Sequence, residues 1–177
     1  NETLLLDHLL KTTTDPKKKM YLLNEYLETI RTTVFRQAMF AEFERDLYAR
    51  AEKGEAITAD MLDAMWHDLN VKYYGPQMVV DKEINAEWSR IPHFYYNFYV
   101  YQYVTGFSAA NALASQILTE GDPARSRYLS FLKSGGSDSS LELLKKAGVD
   151  MSSPEPIRIT IQRFEKLLGE LEILLAQ

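Results

Sequence analysis

Several residue types and patterns are scarce in this chain of 177 residues. Cysteine is absent, which excludes disulfide scaffolds, thiolate zinc sites and cysteine nucleophiles and fits an intracellular setting. No apolar run of about 18 residues occurs, so no contact with a membrane is expected. The net charge of −5 lacks the basic excess of a nucleic-acid-binding surface, so no nucleic-acid partner is expected either.

Hydrophobic residues make up 46% of the chain, an ordinary share for a globular protein. Their spacing is helical almost throughout, which predicts an all-α fold. From Pro16 to about Lys53 neither glycine nor a further proline interrupts the pattern, so one long helix is expected there, with Asp15 as its N-cap. Other helices are predicted over residues 3–11, 58–73, 123–133 and 141–147, and from about residue 156 to the C-terminus.

The most unusual segment is rich in tyrosine and runs from His93 to Gly106. Tyr99, Tyr101 and Tyr103 alternate as in a strand, whereas Tyr95, Tyr99 and Tyr103 follow helical spacing. Because the residues after Gly106 are plainly helical, we predict one helix over residues 94–119. Aromatic residues all round this helix predict burial on nearly every side.

Histidine is the main candidate for metal binding in a chain without cysteine. A helical zinc site needs two histidines one turn apart and a carboxylate, but His8, His67 and His93 are far apart and none has a histidine four residues later. No complete metal site is therefore expected in this chain. His8 and His67 are expected to be surface or structural residues.

His93 differs because it follows Pro92 at the start of the tyrosine-rich segment. An imidazole and tyrosine hydroxyls can both donate hydrogen bonds to an oxyanion that develops during a reaction. In the alternative interpretation His93 caps a helix and the tyrosines belong to the core. The residues by themselves leave both interpretations open.

Charged residues among apolar ones suggest structural pairing rather than catalysis. Glu42 and Glu44 are two residues apart, which directs them to different faces of a helix, and both are expected to be solvated. Arg36 lies among apolar residues and must be paired if it is buried. Glu42 and Glu44 are candidate partners in such a pairing.

Three segments together are similar to a known family. They are Phe35–Glu44 (FRQAMFAEFE), Trp88–Gly106 (WSRIPHFYYNFYVYQYVTG) and Leu141–Asp150 (LELLKKAGVD). These segments resemble the C-terminal part of the oligoendopeptidase F enzymes, members of the thimet-oligopeptidase-like zinc metallopeptidases. The resemblance covers essentially the whole chain, and its long aromatic motif is specific.

The resemblance implies that residues 1–177 are the C-terminal helical part of a zincin-type oligopeptidase catalytic domain. In that family a His-Glu-x-x-His helix and a downstream glutamate bind zinc, and the parent enzyme cleaves short peptides in a deep channel in the cytoplasm. No His-Glu-x-x-His occurs in this sequence. The resemblance therefore implies that the zinc ligands and general base lie in a missing N-terminal part, and that the isolated chain is inactive.

The resemblance also assigns roles to residues of the aromatic motif. A histidine and tyrosines of the corresponding family segment stabilise the tetrahedral intermediate or hold the substrate. The matching catalytic positions are His93, Tyr96, Tyr99 and Tyr103, of which His93, Tyr99 and Tyr103 also match substrate-binding positions. The resemblance thus favours the functional interpretation of His93.

Two alternatives remain beside a peptidase fragment. The chain could be a free-standing helical module that binds peptides without cleaving them, or a structural domain whose aromatic segment is core. The first residue, Asn1 rather than methionine, fits either a longer protein cut at this point or a tag or processed terminus.

Overall fold

The structure is a computed structural model that describes residues 1–176. Helices account for the regular structure in this range, which contains no β-strand, so the all-α prediction is confirmed. A π-helical turn covers Arg31–Phe35, and 3₁₀-helices cover Lys82–Arg90 and Pro92–Tyr96. The α-helices are α1 (Glu2–Thr12), α2 (Pro16–Ile30), α3 (Arg36–Glu52), α4 (Ala59–Tyr74), α5 (Tyr101–Glu120), α6 (Asp122–Ser134), α7 (Ser140–Lys146) and α8 (Glu155–Leu175). Among the described residues, no helix is both long and apolar enough to cross a membrane.

Local sequence signals set most helix ends. The Asp15 carboxylate accepts the backbone N–H of Lys17 at 2.9 Å and so caps α2. Thr58 caps α4 by accepting the N–H of Met61 at 3.3 Å. Gly75 follows α4 with a φ of 78°, a conformation that glycine adopts without steric cost. Apart from the helix predicted over residues 94–119, the predicted helix boundaries are confirmed to within about two residues, the usual uncertainty of such assignments.

The predicted long helix is present but is not uniform. Its α-helical parts, α2 and α3, are separated by the π-helical turn Arg31–Phe35. Three consecutive β-branched residues, Thr32, Thr33 and Val34, occupy this turn. Such residues crowd the preceding helical turn, which lowers their preference for the α-helix. A π-helical turn is frequently found at functional sites.

The prediction of one helix over residues 94–119 is wrong at its N-terminal end. The 3₁₀-helix ends at Tyr96, and Asn97 and Phe98 then adopt left-handed backbone conformations with φ of 54° and 60°. The N–H of Phe98 donates to the Glu44 carboxylate at 2.9 Å instead of to a helical carbonyl. The helix α5 therefore begins only at Tyr101.

The chain divides into two compact units. The central unit comprises Arg31–Val104, and the terminal unit comprises residues 1–30 together with the chain from Thr105 onward. The prediction that residues 1–177 form one part of a single catalytic domain stays a prediction.

Small residues allow close packing in the terminal unit. Ala109, Ala112 and Leu113 of α5 are buried with Ala147 and Val149. A buried polar network joins four helices, since Tyr26 of α2 lies 3.3 Å from the Thr3 hydroxyl of α1 and donates to Asn111 of α5 at 3.0 Å. The Asn111 amide also donates to Thr160 of α8 at 3.4 Å. These contacts hold α1, α2, α5 and α8 together in a fixed register.

Aromatic residues form the core of the central unit. Phe43 of α3 meets Trp66 of α4 edge to face, with ring centroids 5.0 Å apart. Phe40 lies 5.1 Å from the same indole. Phe94 of the second 3₁₀-helix packs against Phe43 at 5.2 Å. This cluster fixes the start of the tyrosine-rich segment to α3 and α4.

Arg36 is paired, as predicted, but the candidate partners and the predicted solvation of Glu42 and Glu44 are wrong. The partner of Arg36 is Glu87, whose Oε1 lies 2.6 Å from the guanidinium, rather than Glu42 or Glu44. Glu44 is buried, and Glu42 accepts hydrogen bonds from Lys72 at 2.6 Å and from Tyr73 at 2.9 Å. Helical periodicity gives the face on which a carboxylate lies but not the group that another element brings against it.

Truncation of the core aromatic ring should destabilise the protein strongly. We expect Phe43→Ala to lower the free energy of unfolding by about 3–5 kcal/mol, because it removes a fully buried ring and leaves a cavity. Chemical denaturation measures this loss. The matched control is Val79→Ala, an exposed position in the same unit that should change stability by less than about 0.5 kcal/mol. A loss below about 1 kcal/mol for Phe43→Ala would show that this ring is not central to the core.

The Glu42 network should make stability depend on acid pH. The hydrogen bond from Lys72 lowers the pKa of Glu42 below its ordinary value of 4.5, so the unfolded chain takes up this proton at higher pH than the folded one. The stabilisation is complete above the unfolded pKa and is lost as the pH falls through the folded pKa. Urea denaturation at about pH 6 and about pH 3 should therefore show a smaller loss of stability for Glu42→Gln than for the wild type. The exposed control Glu83→Gln should behave as the wild type, and equal losses in all three proteins would refute this linkage.

Candidate functional site

The 3₁₀-helix Pro92–Tyr96 carries His93 at its second position. Ile91 before it is extended, with φ −87° and ψ 102°, as expected for a residue that precedes proline. Ile91 is also buried in the core of the central unit, so the entry of the chain into this short helix is fixed.

A partly buried side chain, Phe94, and a fully buried one, Val100, anchor the segment that follows. Phe94 packs against the rings of Phe40, Phe43 and Trp66 at 5.7, 5.2 and 6.0 Å. Val100 is fully buried in the same core. Because Phe94 and Val100 face inward, the residues between them form a turn on the surface of the unit.

The structure brings His93 together with the three tyrosines that were predicted as site residues. The rings of His93 and Tyr99 are stacked with centroids 5.8 Å apart, and the Tyr103 hydroxyl lies 3.5 Å from Nε2 of His93. Tyr103 also donates to the Tyr99 hydroxyl at 3.4 Å, and the Tyr96 ring lies 6.4 Å from His93. We refer to His93, Tyr96, Tyr99 and Tyr103 as the histidine–tyrosine cluster.

This cluster is exposed, so the prediction that the tyrosine-rich segment is buried on nearly every side is wrong. Tyr96 is 63% exposed, and Tyr99 and Tyr103 are 37% and 36% exposed. The neighbouring Tyr95 is 82% exposed. The left-handed turn at Asn97 and Phe98 is the reason, because it interrupts the helix between Phe94 and Val100. These two side chains then face the core while the phenols face outward. The interpretation of these tyrosines as core is excluded for this chain.

The cluster offers several hydrogen-bond donors on one surface. Nε2 of His93 donates or accepts according to its tautomer, and each tyrosine hydroxyl does both. The hydrogen bond that Tyr103 donates to Tyr99 raises the pKa of Tyr103 above its ordinary value of 10.0, with burial acting in the same direction. The Tyr103 phenol is therefore protonated at neutral pH. Such groups can donate to an oxygen that gains negative charge.

The other histidines do not join this cluster. His67 lies 3.0 Å through Nδ1 from the side-chain oxygen of Asn85, and His8 is exposed on α1. Both findings confirm their prediction as structural or surface residues. Across residues 1–176, no group of three or more histidine, cysteine, aspartate or glutamate side chains is arranged to hold a metal ion. The residues that the structure describes therefore do not fit a zinc site.

Sequence reasoning missed two residues of α3 that contact the turn between the two parts of the cluster. Glu44 and Tyr48 of α3 contact Phe98 and Asn97 of the turn. Asn97 was a usable signal, since asparagine tolerates the left-handed conformation better than most residues. No pattern in the sequence indicates that α3 meets this turn.

The hydroxyl network of the cluster predicts a titration that can be measured. Tyr99→Phe removes the acceptor of the Tyr103 proton, so the pKa of Tyr103 should fall back toward 10.0. NMR of ring-labelled tyrosine, assigned with Tyr103→Phe, measures this pKa. Tyr95→Phe is the matched control, because Tyr95 is exposed in the same segment. An unchanged pKa of Tyr103 in Tyr99→Phe would contradict the hydrogen bond.

Known proteins are similar to the chain over nearly its whole length. Oligopeptidase PepF of Bacillus subtilis is 57% identical over 175 residues, which are 99% of this chain and 26% of that protein. The chromosomal oligoendopeptidase F of Lactococcus lactis is 45% identical over 97% of this chain and 29% of its own length. The crystal structure of oligoendopeptidase-F from Enterococcus faecium matches 97% of this chain with a TM-score of 0.94 and 50% identity, and the match covers 33% of that structure.

The chain thus spans between about a quarter and a third of the length of these relatives. Its residues 1–163 match the family model described as peptidase family M3. The chain belongs to peptidase family M3.

Proposed function

We propose that this chain is the histidine- and tyrosine-bearing part of the catalytic domain of a longer zinc-dependent oligoendopeptidase, which hydrolyses short peptides. Family membership supports the reaction class, and the length of the relatives supports a longer parent. The observation that carries the assignment of residues is the exposed contact of His93 with the Tyr99 ring and the Tyr103 hydroxyl. We also propose a cytoplasmic location, which the family resemblance implies.

The zinc ion belongs to the parent protein in this proposal. The ligands are proposed to lie in another part of that protein, because the His-Glu-x-x-His of the family does not occur in this sequence. The rest of the same protein is then the obligatory partner, and the chain without it is expected to be inactive.

The chemistry assigned to this chain is hydrogen bonding to the substrate. As a peptide carbonyl is attacked, its oxygen gains negative charge, and donors fixed at that position stabilise the charge. His93 and the hydroxyls of Tyr99 and Tyr103 are proposed as these donors, because they lie together and are accessible. Tyr96 is proposed to complete the catalytic surface beside His93.

Substrate binding is proposed for the same surface. Phenol rings combine an apolar face with a polar tip, and they lose few degrees of rotational freedom on binding. A peptide offers apolar side chains to the rings and backbone groups to the hydroxyls. His93, Tyr99 and Tyr103 are proposed to contact the substrate in this way.

Removal of the imidazole tests the assigned role. We expect His93→Ala in the full-length peptidase to lower kcat by about a hundred- to a thousandfold, since a donor to the transition state is lost. KM should rise by a smaller factor than kcat falls, because the imidazole is also proposed to contact the bound substrate, and the zinc content should equal that of the wild type. Peptide hydrolysis assays with metal analysis measure these quantities. His67→Ala is the matched control in the same unit and should keep normal kcat.

Two outcomes would contradict the proposal. Unchanged turnover of His93→Ala with zinc bound would exclude His93 from catalysis. Hydrolysis that resists a chelator would exclude the zinc-dependent mechanism. If no form of the protein hydrolyses peptides but His93→Ala binds them more weakly than the wild type, the alternative of a peptide-binding module would be favoured.

A further inference from the structure

The turn beneath the histidine–tyrosine cluster has an uncommon backbone. Asn97 and Phe98 are consecutive non-glycine residues with positive φ, 54° and 60°. Asparagine tolerates this region, but a bulky aromatic residue rarely adopts it without support from its surroundings. The conformation of Phe98 therefore depends on contacts outside the turn.

Glu44 supplies one such contact from α3. Its side chain is 98% inaccessible, with 2% exposure, and its Oε1 accepts the backbone N–H of Phe98 at 2.9 Å. A buried carboxylate without a partner is unfavourable. The carboxylate and the Phe98 N–H therefore hold each other in place.

Tyr48 supplies a second contact one helical turn later. Its ring lies 4.5 Å from the Phe98 ring, and its hydroxyl donates to the Asn97 side chain at 3.4 Å. Residues four apart lie on the same face of a helix. Glu44 and Tyr48 therefore support both left-handed residues from one face of α3.

The turn determines how the two parts of the cluster meet. On one side Phe94 is anchored in the core next to His93, and on the other the buried Val100 follows Tyr99. The residues between these anchors join His93 to Tyr99, whose rings stack at 5.8 Å. A change of backbone conformation at Phe98 would therefore move the Tyr99 ring relative to the His93 ring.

We infer that Glu44, assisted by Tyr48, is a positioning residue that holds the Asn97–Phe98 turn and thereby fixes the histidine–tyrosine cluster for the reaction. This inference rests on the proposed function. Glu42, two residues earlier on the same helix, provides the contrast, because its carboxylate pairs with Lys72 and Tyr73 of α4 and does not contact the turn.

Variants of Glu44, Glu42 and Tyr48 in the full-length peptidase test this role through two measurements. Amide hydrogen exchange of residues 97–99 reports the turn, and steady-state peptide hydrolysis reports kcat and KM. Glu44→Ala should accelerate exchange and lower kcat by about ten- to a hundredfold, the range that a displacement of about 1 Å can produce. KM should change less than kcat. Glu44→Gln should restore both measurements toward wild type, because its amide oxygen still accepts the Phe98 N–H.

Glu42→Ala is the matched control. It removes a carboxylate from the same helix and should lower stability while leaving exchange at residues 97–99 and kcat unchanged. If Glu44→Ala does not fold, Tyr48→Phe tests the same support, because it keeps the ring and removes only the hydrogen bond to Asn97. Tyr48→Phe should accelerate exchange and lower kcat by a smaller factor.

The outcomes separate this inference from the proposed function. If His93→Ala lowers kcat but neither Glu44→Ala nor Tyr48→Phe does, the positioning role is refuted and the proposed function stands. The same conclusion follows if Glu44→Gln is as inactive as Glu44→Ala, since the role would then depend on charge. If His93→Ala has no effect, the proposed function fails, while faster exchange in Glu44→Ala would still show that Glu44 holds the turn.

Discussion

The packing of Phe94 against Phe40, Phe43 and Trp66 is the interaction on which the candidate site depends. Burial of an aromatic ring is among the largest stabilising contributions that one residue makes. It fixes the 3₁₀-helix Pro92–Tyr96 to two long helices. His93, the residue before Phe94, is thereby held at the surface of a rigid core. Without this contact the histidine would lie on an unsupported segment between a proline and a strained turn.

The left-handed turn at Asn97 and Phe98 divides the side chains of the aromatic segment between the core and the surface. A continuous helix would distribute these side chains round its axis, whereas the turn directs Phe94 and Val100 inward and the phenols outward. Strained conformations of this kind persist only where neighbouring groups hold them, and they are frequent at functional sites. The Glu44 carboxylate is such a neighbour.

The carboxylates of α3 show how position decides the role of a residue type. Glu42 and Glu44 are separated by one residue, yet the first pairs with a lysine and a tyrosine of α4 and the second with a backbone N–H of the turn. The first pairing lowers the pKa of Glu42, and together with burial it raises the pKa of Tyr73 to about 12. Burial is the larger cause for Tyr73. Arg36 of α3 pairs with a third carboxylate, Glu87, although the sequence suggested Glu42 or Glu44 as its partner.

Much of the local structure could be predicted from the sequence, because its signals act over short distances. The caps Asp15 and Thr58, the glycine Gly75 after α4, and the 3.6-residue spacing of apolar side chains determined where helices begin and end. The proximity of His93 to tyrosines in the sequence also indicated the residues of the candidate site. Tyr99 precedes α5 and Tyr103 lies within it, yet their hydroxyls meet at 3.4 Å, so these two tyrosines are close together although they do not share one helix.

Only the tertiary structure decided which of these aromatic side chains are buried and what holds them. The N–H of Phe98 bonds to a carboxylate 54 residues earlier, and Arg36 bonds to one 51 residues later. The spacing of residues near Phe98 or Arg36 does not indicate either partner, because each partner lies on another element that packing brings close. The sequence by itself determined the helices and the chemical groups of the site, and packing between elements determined their geometry.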